Sequence, residues 1–293
     1  MNISHRLQQS LKFRLFRSYC NVFRVVKSGK LPRIDWKPLD KTLPRLVTIV
    51  YPADIPLLVY SLRSLMRYGK TRPPLWIIGD SDNAYEALQE VFGDRTPEGL
   101  ELWHWETLLQ QLEPRYQKFI KTWENSGKWG VYSRKFAVTL AANSTADILI
   151  SDADVLWHGN FLETLQSLRT ANPGIYAGKD YGRAYDEQVA DFLAEPRIFQ
   201  DEALNCGVVY YPQQDLLEQI TPELVTDLLP YAAKATNHLE QTLVAYAFWQ
   251  SGGKWFDRDV LATTMIDDLK LTNQVRSLGR HYAGGKHMFW RDA

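Results

Sequence analysis

Two aspartates separated by one residue follow an apolar run in residues 148–157 (ILISDADVLW). In an extended chain, residues two positions apart point to the same side, so the carboxylates of Asp152 and Asp154 can face one cleft. Such a pair suits a hard divalent cation, Mg²⁺ or Mn²⁺, bound through oxygen. A cation held there could bind a diphosphate and offset the charge of a leaving phosphate. Two exposed loop aspartates are the alternative, because a D-x-D pattern often occurs by chance.

A second group of polar residues lies at the start of the apolar run 204–212 (LNCGVVYYP). Glycine lets the backbone approach a ligand closely, and asparagine offers a donor and an acceptor to hydroxyl groups. Asn205 and Gly207 are therefore candidates for contact with a ligand. The same two residue types commonly mark a turn, and the turn stays open as the other interpretation.

The C-terminal stretch 281–293 (HYAGGKHMFWRDA) combines His281 with a glycine-rich segment and Lys286. Imidazole binds metal ions, and a lysine on a glycine-rich loop can bind phosphate. We therefore expect this stretch to complete a nucleotide-diphosphate site. A purely structural role for the histidine is the alternative.

An acidic residue and an amide, Glu240 and Gln241, open an apolar helix for which Asn237 is the expected cap. A carboxylate and an amide at this position can hydrogen-bond to sugar hydroxyls. Helix capping alone would also account for them.

The elements that must position these residues alternate between strand and helix. The predicted strands are 45–51, 75–79, 100–104, 146–151, 174–178 and 206–211. The predicted helices are 56–68, 82–92, 132–142, 221–229 and 239–249, and residues 279–290 are predicted to form a loop. This alternation indicates an α/β fold with a mostly parallel central sheet flanked by helices and a smaller, mixed second half. Ligands of such sheets bind at the carboxyl ends of the strands.

Composition excludes several classes of protein. The chain has 293 residues, 45% of them hydrophobic and 23% charged, which is typical of a globular protein and not of a disordered one. Its formal net charge of zero argues against a whole-protein nucleic-acid binder. The two cysteines, Cys20 and Cys206, are too few for a disulfide scaffold or a cysteine-based zinc site. Scarce cysteine and the lack of a signal peptide favour the cytoplasm.

Residues 1–40 form a separate basic arm, and residues 41–293 form the main domain. The arm holds nine Lys or Arg and two Asp, a formal charge of +7. Apolar residues recur in it at helical spacing, namely Leu11, Leu15, Tyr19, Val22 and Val26. The pattern is typical of an amphipathic helix on an anionic membrane surface, peripheral to the inner face. A helix packed on the protein's own body is the alternative, and a transit peptide is a third interpretation.

The order of these features resembles the family 8 glycosyltransferases, which include the bacterial lipopolysaccharide galactosyltransferases and the glycogenins. The matching segments are I-V-Y-P-A-D, Y-S-R-K, D-A-D-V-L, N-C-G-V, E-Q, and H-Y-x-G followed by a lysine and W-R-D. The resemblance covers residues 45–293. It implies a GT-A fold and a metal-dependent hexosyltransferase that moves a sugar from a nucleotide-diphosphate donor, a UDP-sugar, with retention. A glycan or a lipid-linked molecule would be the acceptor.

The resemblance assigns roles residue by residue. For the cation, Mn²⁺ or Mg²⁺, it implies the ligands Asp152, Asp154 and His281. For catalysis beside the anomeric carbon it implies Glu240 and Gln241. For the donor it implies Asp54, Arg134, Asp180, Asn205, Gly207, Gly284 and Lys286.

The sequence departs from the family pattern at three places. The Asp-Gln pair of the family is Glu240-Gln241 here, and glutamate reaches one methylene further. Lys286 lies one residue nearer to His281 than usual, and His287 takes the expected place. Pro56 stands where many members have a polar residue that contacts the base. These departures bear on the identity of the donor more than on the fold.

Two other functions fit parts of the sequence. A haloacid-dehalogenase-like phosphatase also has D-x-D-x-V after an apolar strand, but that motif normally opens the fold. Here three predicted strands precede it, and the similar segment 79–82 (GDSD) lies upstream. A nucleotide-sugar-binding module without turnover would keep the fold, although the presence of Asp152, Asp154 and His281 argues against it.

Overall fold

We describe a computed structural model for residues 3–29, 31–93, 96–182, 184–200, 202–264 and 277–293; the side chains of residues 3–13, 16, 199 and 200 lie outside this description. In the described chain, ten strands form two sheets. The strands are β1 Arg45–Val50, β2 Leu75–Gly79, β3 Leu100–His104, β4 Ile148–Ser151, β5 Val155–Trp157, β6 Tyr176–Lys179, β7 Leu204–Tyr211, β8 Lys254–Trp255, β9 Leu261–Thr263 and β10 Gly279–His281.

The larger sheet has the strand order β3-β2-β1-β4-β7-β6-β8. Strands β3, β2, β1 and β4 are parallel neighbours, with Leu46 opposite Leu75 on one side and opposite Leu149 on the other. Every residue of β2 and β4 is buried, because helices cover both faces of the sheet. The predicted parallel half of an α/β fold is thus confirmed. Strand β7 then runs antiparallel to both β4 and β6.

Fourteen helices are found in the described chain. They are α1 Ile3–Ser28, α2 Ile55–Tyr68, α3 Asp82–Phe92, α4 Trp105–Leu109, α5 Pro114–Glu124, α6 Tyr132–Asn143, α7 Phe161–Ala171, α8 Glu187–Leu193, α9 Arg197–Gln200, α10 Asp215–Gln219, α11 Pro222–Asp227, α12 Leu229–Ala232, α13 Leu239–Gln250 and α14 Lys286–Asp292. The predicted α2, α3, α6 and α13 agree with these bounds to within a residue. Amphipathic spacing identified the first two, and Ser81 caps α3 by accepting a hydrogen bond from Ala84 N.

The predicted loop 279–290 is wrong. Residues Gly279–His281 form β10, which pairs with β5 antiparallel and with β9 parallel in the smaller sheet, and α14 follows. A three-residue strand is too short to show a period, and its two partners lie far away in the sequence, so local pattern could not find it. The expected cap of α13 is also wrong, since His238 and not Asn237 occupies the N-cap position.

Two apolar layers enclose the larger sheet. One contains Trp123, Phe136 and Phe248 from α5, α6 and α13, and the other contains Leu62 and Phe161 from α2 and α7. Most of the described aromatic side chains are buried in these layers or pack against them. The two layers fix the sheet between them, so that the ends of its strands are held rigidly.

Helix α1, within the predicted basic arm, packs against α14 at the C-terminus. Among the side chains of α1 that the structure describes, Cys20 is the buried one, and Phe23 packs against the same apolar layer as α2. Leu11, one of the predicted apolar positions, has its side chain outside the described residues. Within the described chain, no helix combines the length and hydrophobicity that crossing a bilayer requires.

Candidate functional site

Three potential metal ligands meet where the two sheets join. Asp152 and Asp154 lie between β4 and β5, and His281 ends β10 opposite Val155 of β5. His281 Nε2 is 3.3 Å from Asp154 Oδ1 and 3.5 Å from Asp152 Oδ2. One ligand atom from each residue can be chosen so that all lie within 4.8 Å of one another. The pairing of β5 with β10 thus brings together residues that are more than a hundred positions apart.

A hydrogen bond at Nδ1, the ring nitrogen that does not face the carboxylates, orients His281. His281 Nδ1 is 2.7 Å from Asn205 Oδ1, which also accepts from the backbone N–H of Gly207 at 2.9 Å. We assign the Nδ1 hydrogen to this bond, because the Asn205 side-chain oxygen can only accept, and Nε2 faces the two carboxylates. Burial lowers the pKa of His281, but the carboxylates of Asp154 and Asp152 outweigh burial and raise that pKa to about 9. The imidazole is therefore fixed in the orientation that a metal ligand needs.

The imidazole of His281 lies so close to the backbone at position 207 that only glycine fits there. A Cβ atom at position 207 would overlap the imidazole of His281.

We predict that Gly207→Ala displaces His281 and weakens Mn²⁺ binding about tenfold or more, as loss of ligand orientation does elsewhere. Isothermal titration with Mn²⁺ measures this effect. Gly93→Ala at the end of α3 is the matched control, because a methyl group there meets nothing within 4 Å. Equal affinity in both variants would contradict the prediction.

Lys135 is a site residue that the sequence analysis missed. Its Nζ is 2.7 Å from Asp152 Oδ1 and 3.4 Å from Glu240 Oε1, and it donates to the carbonyl of Cys206 at 3.0 Å. Burial lowers the pKa of Lys135, but the carboxylates of Asp152 and Glu240 raise it well above its usual value. Burial raises the pKa of Asp152, but the ammonium of Lys135 outweighs burial and holds the pKa of Asp152 well below its usual range.

Arg134, a predicted donor residue, has partners other than the metal ligands. Its guanidinium donates to the carbonyl of Asp80 at 2.8 Å and pairs with Glu124 at 3.1 Å. Consecutive residues of a helix point about 100° apart, so Arg134 and Lys135 cannot both face the same carboxylates. The orientation of α6 decides that Lys135 of the Y-S-R-K segment contacts the metal-site carboxylates. The donor contact expected of Arg134 stays a prediction.

The two predicted catalytic residues have different partners. Glu240 is 8% exposed and faces Lys135; burial raises the pKa of its carboxyl, and the ammonium of Lys135 opposes that rise. Gln241 instead donates to the Leu204 carbonyl and lies 3.5 Å from Asp180 Oδ2. Asn205 also donates to Asp180, at 3.2 Å. Asp180, Asn205 and Gln241 therefore form one hydrogen-bonded group behind the metal ligands.

Lys286 begins α14 and lies at the other end of the site. Its Nζ is 2.9 Å from Asp54 Oδ2, at the end of a short 3-10 turn after β1, and 3.9 Å from Asp154 Oδ2. Burial lowers the pKa of Lys286, but Asp154 and Asp54 raise it overall. A cationic side chain is thus held beside the metal ligands, where it could bind a phosphate.

One cleft of about 500 Å³ lies at the carboxyl ends of β1 and β4, where ligands of parallel sheets bind, and is lined by the three metal ligands together with Asp54, Lys135, Glu240 and Lys286. Tyr51 and Tyr132 supply aromatic surface to it. Asp180 lines a separate cavity of about 160 Å³. A cavity of about 360 Å³ also has Asp54 and Lys286 in its wall, and Gly284 together with Arg17 and Arg24 of α1 borders it. The contribution of α1 to this wall is a second feature that the sequence analysis did not predict.

The donor set fits a divalent cation. Two carboxylate oxygens and one oriented imidazole nitrogen can bind the same ion, and the nitrogen ligand favours Mn²⁺ over Mg²⁺. The cleft also has four carboxylates against two lysines, so negative charge is in excess whether His281 is neutral or protonated. The carboxylates are those of Asp54, Asp152, Asp154 and Glu240.

Comparison with solved structures supports the predicted fold. Mouse xyloside xylosyltransferase 1 is similar over 82% of this chain and 97% of its own, with a TM-score of 0.57 and 13% sequence identity. An active-site mutant of LgtC is similar over 84% of this chain and 94% of its own, with a TM-score of 0.54 and 11% identity. No protein-family model matches the sequence, and a sequence search of curated proteins finds no match. The chain thus has a fold consistent with the predicted GT-A architecture and shared with glycosyltransferases.

Proposed function

We propose that this protein is a metal-dependent glycosyltransferase that moves a sugar from a nucleotide-diphosphate donor to a glycan or lipid-linked acceptor. The observation that carries the proposal is the group Asp152, Asp154 and His281 at the end of β4, within a fold shared with two sugar transferases. The resemblance of the sequence favours UDP as the nucleotide, Mn²⁺ as the cation and retention as the stereochemical outcome.

Transfer breaks the bond between the sugar and the diphosphate. Negative charge then develops on the leaving diphosphate, and positive charge develops at the anomeric carbon. When bound, the cation would offset the charge of the diphosphate. Lys286 lies beside the metal ligands and would donate to the same phosphate oxygens.

The hydrogen-bonded polar group that contacts His281 through Asn205 is proposed to serve the sugar. Asp180, Asn205 and Gln241 carry carboxylate and amide groups that recognise sugar hydroxyls. The carboxylate of Glu240 would stabilise an oxocarbenium-like centre, as carboxylates do in glycoside hydrolysis. The ammonium of Lys135 favours the ionised form of Glu240, because it opposes the rise in the carboxyl pKa that burial causes.

The phosphatase alternative is less well supported. In the upstream GDSD segment, the side chain of Asp82 is 92% exposed and lies 3.4 Å from His104. That segment follows β2, which is separated from β4 by β1. It therefore does not supply the second acidic pair that such a phosphatase needs near its nucleophile.

A thermal-shift panel tests the proposal. We expect a UDP-sugar to raise the melting temperature by roughly 4–5 °C at a hundredfold excess over its Kd, and only with Mn²⁺ present. The panel pairs each nucleotide sugar with Mn²⁺ and with EDTA. Folded protein that responds to no donor would overturn the proposal, and trapping of an aspartyl phosphate by beryllofluoride would favour the phosphatase.

Turnover separates an enzyme from a binding module. With the responding donor, release of the nucleoside diphosphate is measured in the presence and absence of glycan and lipid-linked acceptors. Nucleotide release confirms a transferase or donor hydrolase. Donor binding without release across a broad acceptor panel would favour the module.

A further inference from the structure

Helix α1 exposes large apolar side chains along one face. Among the described residues, ten large apolar side chains are exposed, and five of them are on α1. We call these five the exposed stripe: Leu15 (63% exposed), Tyr19 (55%), Val22 (61%), Val25 (74%) and Val26 (70%). Leu15, Tyr19, Val22 and Val26 follow the spacing of residues on one side of a helix.

The exposed stripe is not the face by which α1 contacts the rest of the protein. That contact is made with α14 and includes Cys20, which is fully buried, and the half-buried Phe23. Tyr60 of α2 also donates to the carbonyl of Lys27 at 3.3 Å. One face of α1 therefore packs on the rest of the protein, while a second, apolar face stays in contact with water.

The charge around the stripe has one sign. Helix α1 has no acidic residue and six basic ones in its sequence. At the C-terminal end of α1, Tyr60 of α2 borders a cavity of about 560 Å³. The wall of this cavity includes Arg33, Arg63 and Arg67. Acidic groups do line this cavity: Asp35 pairs with Lys37, and Asp292 binds Arg291 and Tyr282. Arg33 and Arg63 form no ion pair with any of the described residues, so positive charge is in excess.

We propose that α1 binds the surface of an anionic lipid bilayer through the exposed stripe. The stripe would enter the boundary between headgroups and acyl chains, while Arg14, Lys27 and Arg63 would reach lipid phosphates. Charge decides between this surface and a second copy of the chain. Two copies would bring two acid-free helices together, whereas anionic lipid offers the opposite charge.

Vesicle flotation of the full chain tests the proposal. Wild-type protein is expected to float with vesicles that contain phosphatidylglycerol, not with phosphatidylcholine alone, and to be released by added salt. Val22→Ser combined with Val26→Ser should lower the vesicle affinity about tenfold or more, because apolar burial is lost. Arg63→Gln combined with Arg67→Gln should weaken the affinity and its salt dependence.

The control is Val91→Ser, which changes an exposed valine of α3 far from α1 in the sequence and should leave flotation unchanged. Circular dichroism and the melting temperature, both measured without ligand, establish that each variant is folded. The flotation test therefore does not depend on whether the protein binds nucleotide sugars. Undiminished flotation of the stripe variant would overturn the proposal. Absence of vesicle binding together with a stripe-dependent dimer in size-exclusion chromatography would overturn it in favour of self-association.

Discussion

Asp154→Asn is expected to abolish metal-dependent donor binding and to lower turnover by about 10³-fold or more. Asp154 is 5% exposed, and its carboxylate lies 3.3 Å from His281 Nε2 and 3.9 Å from Lys286 Nζ. Asparagine has the same shape and lacks the charge. Mn²⁺ would then lose one of its anionic ligands, while the packing around position 154 would be retained.

Two measurements check this expectation. The melting temperature is followed with Mn²⁺ and the donor, and release of nucleoside diphosphate is followed with the acceptor. Asp82→Asn is the matched control, since Asp82 also follows a strand but is almost fully exposed and lies outside the cleft. Asp154→Asn with wild-type turnover would refute the assignment of the metal site. A variant that responds to Mn²⁺ but not to the donor would place the cation at other residues.

Lys135→Met is expected to destabilise the metal-free protein and to reduce turnover. The substitution removes the cation that lies between Asp152 and Glu240 and leaves both carboxylates close together in a buried site. Breaking a buried ion pair costs about 3–5 kcal/mol, and the partial exposure of Asp152, 31% of its side chain, places the expected loss near the lower end. The pKa of Glu240 should rise further, because the ammonium that opposes burial is gone.

The same variant makes a specific prediction about the cation. In the metal-free protein, the Lys135 ammonium lies 2.7 Å from a carboxylate oxygen of Asp152 and competes with any second cation there. Mn²⁺ should therefore raise the melting temperature of Lys135→Met by more than that of the wild type. Donor turnover should still fall, by about 10²-fold, because a charge beside the reacting groups is lost.

Lys121→Met is the matched control for this experiment. Lys121 also lies between two carboxylates, those of Glu106 and Glu124, but its side chain is half exposed. Surface pairs of this kind contribute about 0–1 kcal/mol, so we expect little change in stability and none in turnover. If both lysine variants lose the same stability, or if Mn²⁺ stabilises Lys135→Met less than the wild type, the role assigned to Lys135 is wrong.

Sequence patterns located the parallel half of the sheet because its strands are continuous apolar runs. The runs at 75–79 and 100–104 coincide with β2 and β3, and the D-x-D pair lies directly after β4, as predicted. The patterns failed for the smaller sheet. Its three strands have three residues each, and the pairing of β10 with β5 and β9 joins segments that local periodicity cannot relate.

The residue types of the site were available from the sequence by itself, namely two carboxylates, an imidazole, a lysine, and an asparagine before a glycine. Their chemistry does not depend on the fold. The tertiary structure alone decided which of them meet. It placed Lys135 between Asp152 and Glu240 and placed Arg134 beside Asp80, because adjacent helical residues point in different directions.

The tertiary structure also distinguished the two apolar faces of α1. The sequence predicted an amphipathic helix, and its spacing could not separate a face that packs on the protein from one left in contact with water. Cys20 packs inward, whereas Val22 and Val26 remain exposed. A sequence records which residues are apolar, but burial depends on what the rest of the chain brings against each face, and that is settled only when the chain folds.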